Sequence, residues 1–254
     1  MDRTLPTPWR IALSKFDYAF QPIALYSDGS VYGFEALLRG WDTAGFAGIG
    51  EVFDLAYSAN LLYALDLELR RKAFSKFAAS GMDQAKIFYN LDNRLLQMPD
   101  YSTGNTLRIA DEAGLPATRV VLEVSELHEP SDSGFDRIIS SYLNQGFRIA
   151  LDDFGSGYAG LKLLDRAEPD IVKIDRYFVD GLGEDPRKAA FLGKIVAMSH
   201  LMGITVLAEG VETTQELKLC ADVGCDMVQG YHIARPNLDF GELRPDYDAA
   251  LAAG

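Results

Sequence analysis

This sequence has few of the residues that crosslink a chain, bind soft metals or grip nucleic acid. Its 254 residues include only two cysteines, Cys220 and Cys225, too few for the disulfide framework of a small secreted domain. They read as reduced core thiols, and a cytoplasmic setting fits them. The three histidines, His128, His200 and His232, stand in no HExxH-like pattern, so the ligands that zinc prefers are missing. Lys and Arg number 24 against 37 Asp and Glu, giving a net charge of −13 and a pI near 4.6. That balance argues against a nucleic-acid polymer as partner, because phosphate backbones are held by clustered cations. A smaller phosphate ligand would need bound cations. No run approaches the roughly eighteen apolar residues of a membrane span. The opening MDRTLPTPWRIAL carries an Asp, two prolines and no apolar core, unlike a secretory leader.

With 48% hydrophobic residues the chain can bury a large core, and its length suits one α/β barrel. Strand-like runs recur as FDYAFQPI, VYGFEALL, KIFYNL, RVVLEV, FRIALD, DIVKI, ITVLA and DMVQG. Helical patterns lie between most of them, among them VFDLAYSANLLYALDLELRRKAFSKFAAS, FDRIISSYLNQ, KAAFLGKIVAMSHLM and TTQELKLCADV. Such alternation predicts a parallel sheet closed into a barrel. The first two runs are joined only by YSDGS, a hairpin-like turn, so that pair should be antiparallel. Thr213 or Thr214 is the expected cap of the last helix. The predicted organisation is a lead-in segment over 1–15, the barrel over 16–246 and a short tail over 247–254.

Each later strand carries a polar group that a buried strand does not need: Asn90, Glu123, Asp152 with Asp153, Lys173, Glu209 and Gln229. Glu35 belongs to the hairpin. In a closed α/β barrel the carboxyl ends of the strands meet at one mouth, so these residues should converge. Five carboxylates and an amide oxygen are hard ligands, which points to Mg²⁺ or Mn²⁺. The adjacent Asp152 and Asp153 would repel each other unless cations sat between them. A plainer alternative makes one of them the cap of the helix that follows.

The segments GFEALLR, DDFGSGY, VKIDR, AEGVET and QGYHIARP together resemble the EAL family of cyclic di-GMP phosphodiesterases, from about Phe16 to Pro236. The resemblance implies a modified TIM (β/α)8 barrel with one antiparallel strand, two Mg²⁺ or Mn²⁺ ions per site, and hydrolysis of cyclic di-GMP to linear 5′-pGpG. Glu35, Asn90, Glu123 and Asp152 match one metal site; Asp152, Asp153 and Glu209 match positions around a second. Lys173 matches the lysine that holds the attacking water, Glu209 a ligand or general base, and Glu126 a glutamate that steadies the loop after the fourth strand. Gln21, Leu38, Arg39 and Gln229 match positions around the dinucleotide. Asp175 is either a partner of the site or the cap of the next turn. The resemblance also implies pairing of two copies through helices near the active-site loops, and leaves any sensor partner unidentified.

The chain departs from the family pattern in EALLRGWDTAGFAGIGEVF, where Gly40 and Gly50 replace an HP pair and a proline. This changes the expected wall near one guanine. Two rival functions stand beside hydrolysis. A receptor that binds cyclic di-GMP without cleaving it would be expected to have lost ligands, and a barrel glycosidase would use two carboxylates. The second fits poorly with a strand-end lysine and amide and with only Trp9 and Trp41 to line a sugar cleft.

Overall fold

The computed structural model describes residues 4–125, 133–155, 160–244 and 246–247. Eight strands close into one barrel in chain order: β1 (Asp17–Leu25), β2 (Val31–Arg39), β3 (Lys86–Leu91), β4 (Val120–Ser125), β5 (Arg148–Phe154), β6 (Ile171–Ile174), β7 (Thr205–Ala208) and β8 (Met227–Val228). β1 runs antiparallel to both β2 and β8, and every other neighbouring pair is parallel. The modified barrel with one antiparallel strand is therefore what the chain adopts. The β1–β2 turn works as its sequence suggests: the Asp28 carboxylate accepts from Ser30 N at 2.9 Å, and Gly29 takes a φ of +71°.

Around the barrel lie α1 (Thr7–Lys15), α2 (Ile49–Ser58), α3 (Leu62–Ala78), α4 (Asn105–Glu112), α5 (Ser133–Asn144), α6 (Gly160–Ala167), α7 (Arg176–Val179), α8 (Pro186–Leu201) and α9 (Thr214–Asp222). The helical pattern beginning at Val52 is two helices rather than one. Its apolar periodicity runs on, but Asn60 takes a φ of +55°, and Asn is among the few residues that adopt this left-handed conformation at low cost. Leu61 N then donates to Ala56 O at 2.8 Å, closing the end of α2. Thr213 does cap α9, in a reciprocal box with Glu216. Cys220 and Cys225 are buried free thiols. The lead-in is itself helical, and Leu5 and Ala12 join the main apolar core. Among the described residues no helix is long and apolar enough to cross a membrane.

Strand alternation organises the barrel interior. Ile23, Phe88, Val121, Ala150, Ile171, Leu207 and Met227 form a separate core, each fully buried. Gly33 belongs to this layer because a Cβ there would come within 2.7 Å of the Phe88 ring. Two residues toward the mouth along the same strand paths stand Gln21, Asn90, Glu123, Asp152, Lys173, Glu209 and Gln229, with Glu35 two residues beyond Gly33. A period of two keeps both layers on the inner face.

Candidate active site

The mouth layer is built around Lys173. Its side chain is 1% exposed, and its Nζ lies 2.6 Å from Glu123 Oε1, 2.7 Å from Asp152 Oδ1, 2.9 Å from Glu209 Oε1 and 3.7 Å from Glu35 Oε2. Asn90 Nδ2 donates to Glu35 Oε1 at 3.1 Å, and Gln229 Nε2 donates to Glu35 Oε2 at 2.6 Å. Gln21, directly opposite Glu35 in the β1–β2 register, accepts from Gln229 at 3.2 Å and donates to Ala234 O at 3.0 Å. The strand-end groups thus converge as the barrel reading requires.

Adjacent residues on a regular strand face opposite sides, so Asp152 and Asp153 should diverge. They do not, because the β5–β6 register shifts between Leu151 and Phe154 and Asp153 takes a φ of +53°. This bulge turns both carboxylates toward the mouth. Oxygens of Asp152, Asp153 and Glu209 lie within 4.8 Å of one another. Neither aspartate caps a helix: both belong to β5, whereas α6 begins at Gly160.

The electrostatics call for more positive charge. Five carboxylates, Glu35, Glu123, Asp152, Asp153 and Glu209, face one ammonium, leaving four negative charges when all are ionised. Burial pushes Glu123 and Glu209 well above the usual carboxylate range despite Lys173 beside them. Burial, reinforced by the neighbouring Asp152 charge, pushes Asp153 up to about 6. Burial alone would lower the Lys173 pKa, but the carboxylates, Asp152 foremost, hold it well above its ordinary value. Both Glu123 oxygens and Asp152 Oδ1 lack a well-directed hydrogen bond among the described residues, although Lys173 is in ion-pair range. Orphaned carboxylate oxygens in an all-oxygen set suit hard divalent cations. Among the described residues, Asp152, Asp153 and Glu209 stand close enough together to share one such cation.

A groove of about 520 Å³ opens beside this cluster. Leu38, Asn90, Asp152 and Asp153 line it together with Tyr89 of β3, Ile49, Gly50, Phe53 and Asp54 of α2, and Asp92, Asn93 and Arg94 just after β3. Arg94 clasps its two walls, bonding Asp92 and Asp54 at 2.6 Å each. On the other side a cavity of about 180 Å³ is bounded by Gln21, Glu35, Glu209 and Gln229, with Arg176, Glu212 and Tyr231. Of the α2 residues only Gly50 was singled out in the sequence; Asp54, Arg94, Arg176 and Glu212 went unnoticed because isolated charges on loops and helices read as solvated surface.

Two expected positions line neither cavity. Arg39 is not part of either lining and donates to Leu38 O at 3.0 Å. Asp175 caps α7, accepting from Tyr177 N at 2.8 Å. Glu126 falls outside the described residues. Within the altered EALLRGWDTAGFAGIG segment the two glycines differ. Gly40 has a φ of +83°, and a Cβ on it would meet Lys15 O at 2.1 Å; Gly50 has open space around it.

The sequence model for the EAL domain matches residues 8–236. Cyclic di-GMP phosphodiesterase NbdA of Pseudomonas aeruginosa is 32% identical over 225 residues, 85% of this chain and 28% of that protein. MucR of the same organism, a bifunctional diguanylate cyclase/cyclic di-GMP phosphodiesterase, is 31% identical over 226 residues, 85% of this chain and 32% of that one. The chain thus spans about a third of the length of these curated relatives. Klebsiella pneumoniae BlrP1, solved with calcium and cyclic di-GMP, superposes with a TM-score of 0.79 at 32% identity, over 88% of this chain and 56% of that one. The PaMucR phosphodiesterase in complex with c-di-GMP gives 0.76 at 27% identity, over 90% and 95%. With the barrel, the converging strand ends and this match over most of its length, the chain belongs to the EAL domain family.

Proposed function

We propose that this chain is a metal-dependent phosphodiesterase that opens cyclic di-GMP to 5′-pGpG. The observation that carries the reading is the mouth cluster, in which four carboxylates surround one buried lysine and a fifth, Asp153, stands beside Asp152 and Glu209. Its four uncompensated charges equal the charge of two divalent cations. Glu35, Asn90, Glu123 and Asp152 would hold one Mg²⁺ or Mn²⁺, and Asp152, Asp153 and Glu209 the other. When bound, such ions lower the pKa of water toward neutrality and neutralise phosphate oxygens. The cyclic di-GMP complexes of BlrP1 and PaMucR support the choice of substrate.

In the proposed reaction a water oxygen attacks phosphorus in line. The bond from phosphorus to the ribose 3′ oxygen breaks, and that oxygen leaves with a proton. One phosphodiester becomes a 5′-phosphate. Lys173, fixed by burial at the centre of the cluster, orients the water and offsets phosphate charge. Glu209 either accepts the water proton or serves as a ligand. Gln229 holds Glu35 and is itself held by Gln21, both on the side of the site that would face the dinucleotide, while Leu38 and the α2 side of the groove receive a base. Arg39 and Asp175 would meet the dinucleotide from outside the two cavities. Glu126 would steady the loop after β4. The cytoplasm is the proposed setting, in keeping with two free thiols.

Incubation with cyclic di-GMP and Mg²⁺, with and without chelator, tests the reading when products are separated by chromatography. Linear product appearing only with metal is the expected result. Tight binding without product would make the chain a receptor instead, and product formation in excess chelator would remove the metals from the mechanism.

A further inference from the structure

A second buried charge cluster lies outside the mouth, on the outer side of β3. Asp66 and Arg70, one turn apart on α3, form an ion pair with side chains 3% and 1% exposed. The Tyr89 hydroxyl donates to Asp66 Oδ1 at 3.1 Å. Arg70 also bonds Thr106 of α4, whose hydroxyl donates to the Tyr142 hydroxyl of α5 at 3.3 Å. Such a pair is a poor source of stability. Desolvating two charges offsets most of their attraction, and apolar residues of similar size often do as well or better. Arg70 Nε even lacks a partner among the described residues. Its directional bonds therefore need another explanation.

That explanation lies one residue along the strand. Tyr89 precedes Asn90, and because successive side chains face opposite sides, the outer anchor and the inner amide share one short stretch of backbone. Asn90 is the exposed member of the mouth cluster, near the end of β3, and so is the least confined by packing. The residues just before Glu123, Asp152, Lys173 and Glu209 are Leu122, Leu151, Val172 and Ala208, all apolar and fully buried. Those groups are held by packing on the outer face; Tyr89 is packed too, against Tyr18 and Phe74, but it adds a hydrogen-bonded anchor that the four apolar residues cannot make.

We propose that the Asp66–Arg70 pair is a positioning device: by holding the tip of Tyr89 it fixes the rotation of β3 and so aims Asn90 at the metal-binding face of the mouth. This rests on the metal-site reading above. The Thr106–Tyr142 arm ties the same device to α5, which follows the connection leaving β4.

The test replaces the pair with apolar residues, Asp66→Leu with Arg70→Met, so that no buried charge is stranded. Mn²⁺ binding is measured by calorimetry and stability by melting temperature. The double variant should melt close to the parent yet bind Mn²⁺ about three- to tenfold more weakly, at or below the low end of what loss of a group behind a metal ligand costs. Parental Mn²⁺ affinity in a folded double variant overturns the proposal. Should the double variant fail to fold, Tyr89→Phe removes only the anchoring hydroxyl and should weaken Mn²⁺ binding in the same direction; unchanged affinity there overturns the proposal equally. A parent chain that takes up no Mn²⁺ removes the metal-site reading itself, and this inference with it.

Discussion

The two ends of the barrel interior are made from the same strands and differ in almost everything else. At the closed end Ile23, Phe88, Val121, Ala150, Ile171, Leu207 and Met227 meet with no exposed surface. Two residues away along those strand paths stand the carboxylates, amides and lysine of the mouth. Burial stabilises the first layer by roughly 1.5–3 kcal/mol for each large side chain. The second layer opposes folding, since buried like charges repel and their desolvation is costly. A fold that keeps such a layer tolerates it for what the layer binds, so substitutions at the two ends should have opposite consequences.

The widest contrast is expected at Asp152, the residue shared by the two proposed metal sites. Asp152→Asn should lower turnover at least about a thousandfold, near 4 kcal/mol of transition-state stabilisation. Its melting temperature without metal should equal or exceed the parent's, because one of five crowded charges is gone. Turnover kept within tenfold would break the contrast from the functional side. Phe88→Ala is the converse, expected to cost about 3–5 kcal/mol of stability while turnover per folded molecule stays near parental. Denaturant unfolding combined with an active-site titration separates the two quantities.

The closed end was the more legible of the two in the sequence. Short β-branched and aromatic runs gave all eight strands, since a strand buried on both faces has little polar character to confuse it. The mouth residues stood out by the same logic in reverse, as polar groups ending apolar strands. What escaped notice depends on conformation or on distant partners. The bulge that brings Asp152 and Asp153 to one side needs a positive φ at a non-glycine residue. The break at Asn60 interrupts an apolar period that continues unbroken on paper. Asp66 and Arg70 read as two charges in a long helix, and only packing shows that they are buried against β3.

Lys173 is the exception that sharpens the comparison, being a mouth residue that stabilises its own layer. Lys173→Ala should lower kcat about a hundredfold, roughly 2.7 kcal/mol, with KM little changed. It should also lower the metal-free melting temperature, and saturating Mn²⁺ should restore much of that loss. A rise in KM alone would assign the lysine to substrate binding.

A smaller effect follows from Asp153, whose folded pKa of about 6 lies above the ordinary value near 3.9. The folded chain then keeps a proton that the unfolded chain has released, so stability falls as pH rises from about 4 to 6. Glu123 and Glu209, also raised, act in the same direction. Metal-free protein should therefore melt lower at pH 7 than at pH 5, and Mn²⁺ should raise the melting temperature more at pH 7. Equal shifts at both pH values would mean that the cation does not compete with protons for these carboxylates.

The smallest effect is expected at Gly50, on the α2 wall of the groove and apart from both layers. A Cβ there meets nothing within 4 Å, and its φ does not lie in the left-handed region, unlike Gly40. Alanine is the better helix former by about 0.5–1 kcal/mol, since glycine loses more backbone freedom on folding. Gly50→Ala near the start of α2 should therefore raise stability by up to that amount. The added methyl would stand on the face where a base is proposed to lie, so KM for cyclic di-GMP should move by less than about threefold while kcat stays constant. Gly40→Ala, by contrast, should be strongly destabilising through its clash with Lys15 O. If Gly50→Ala changed kcat as strongly as KM, α2 would be part of the machinery of the mouth rather than a wall beside it, and the division between a reacting layer and a passive groove would have to be redrawn.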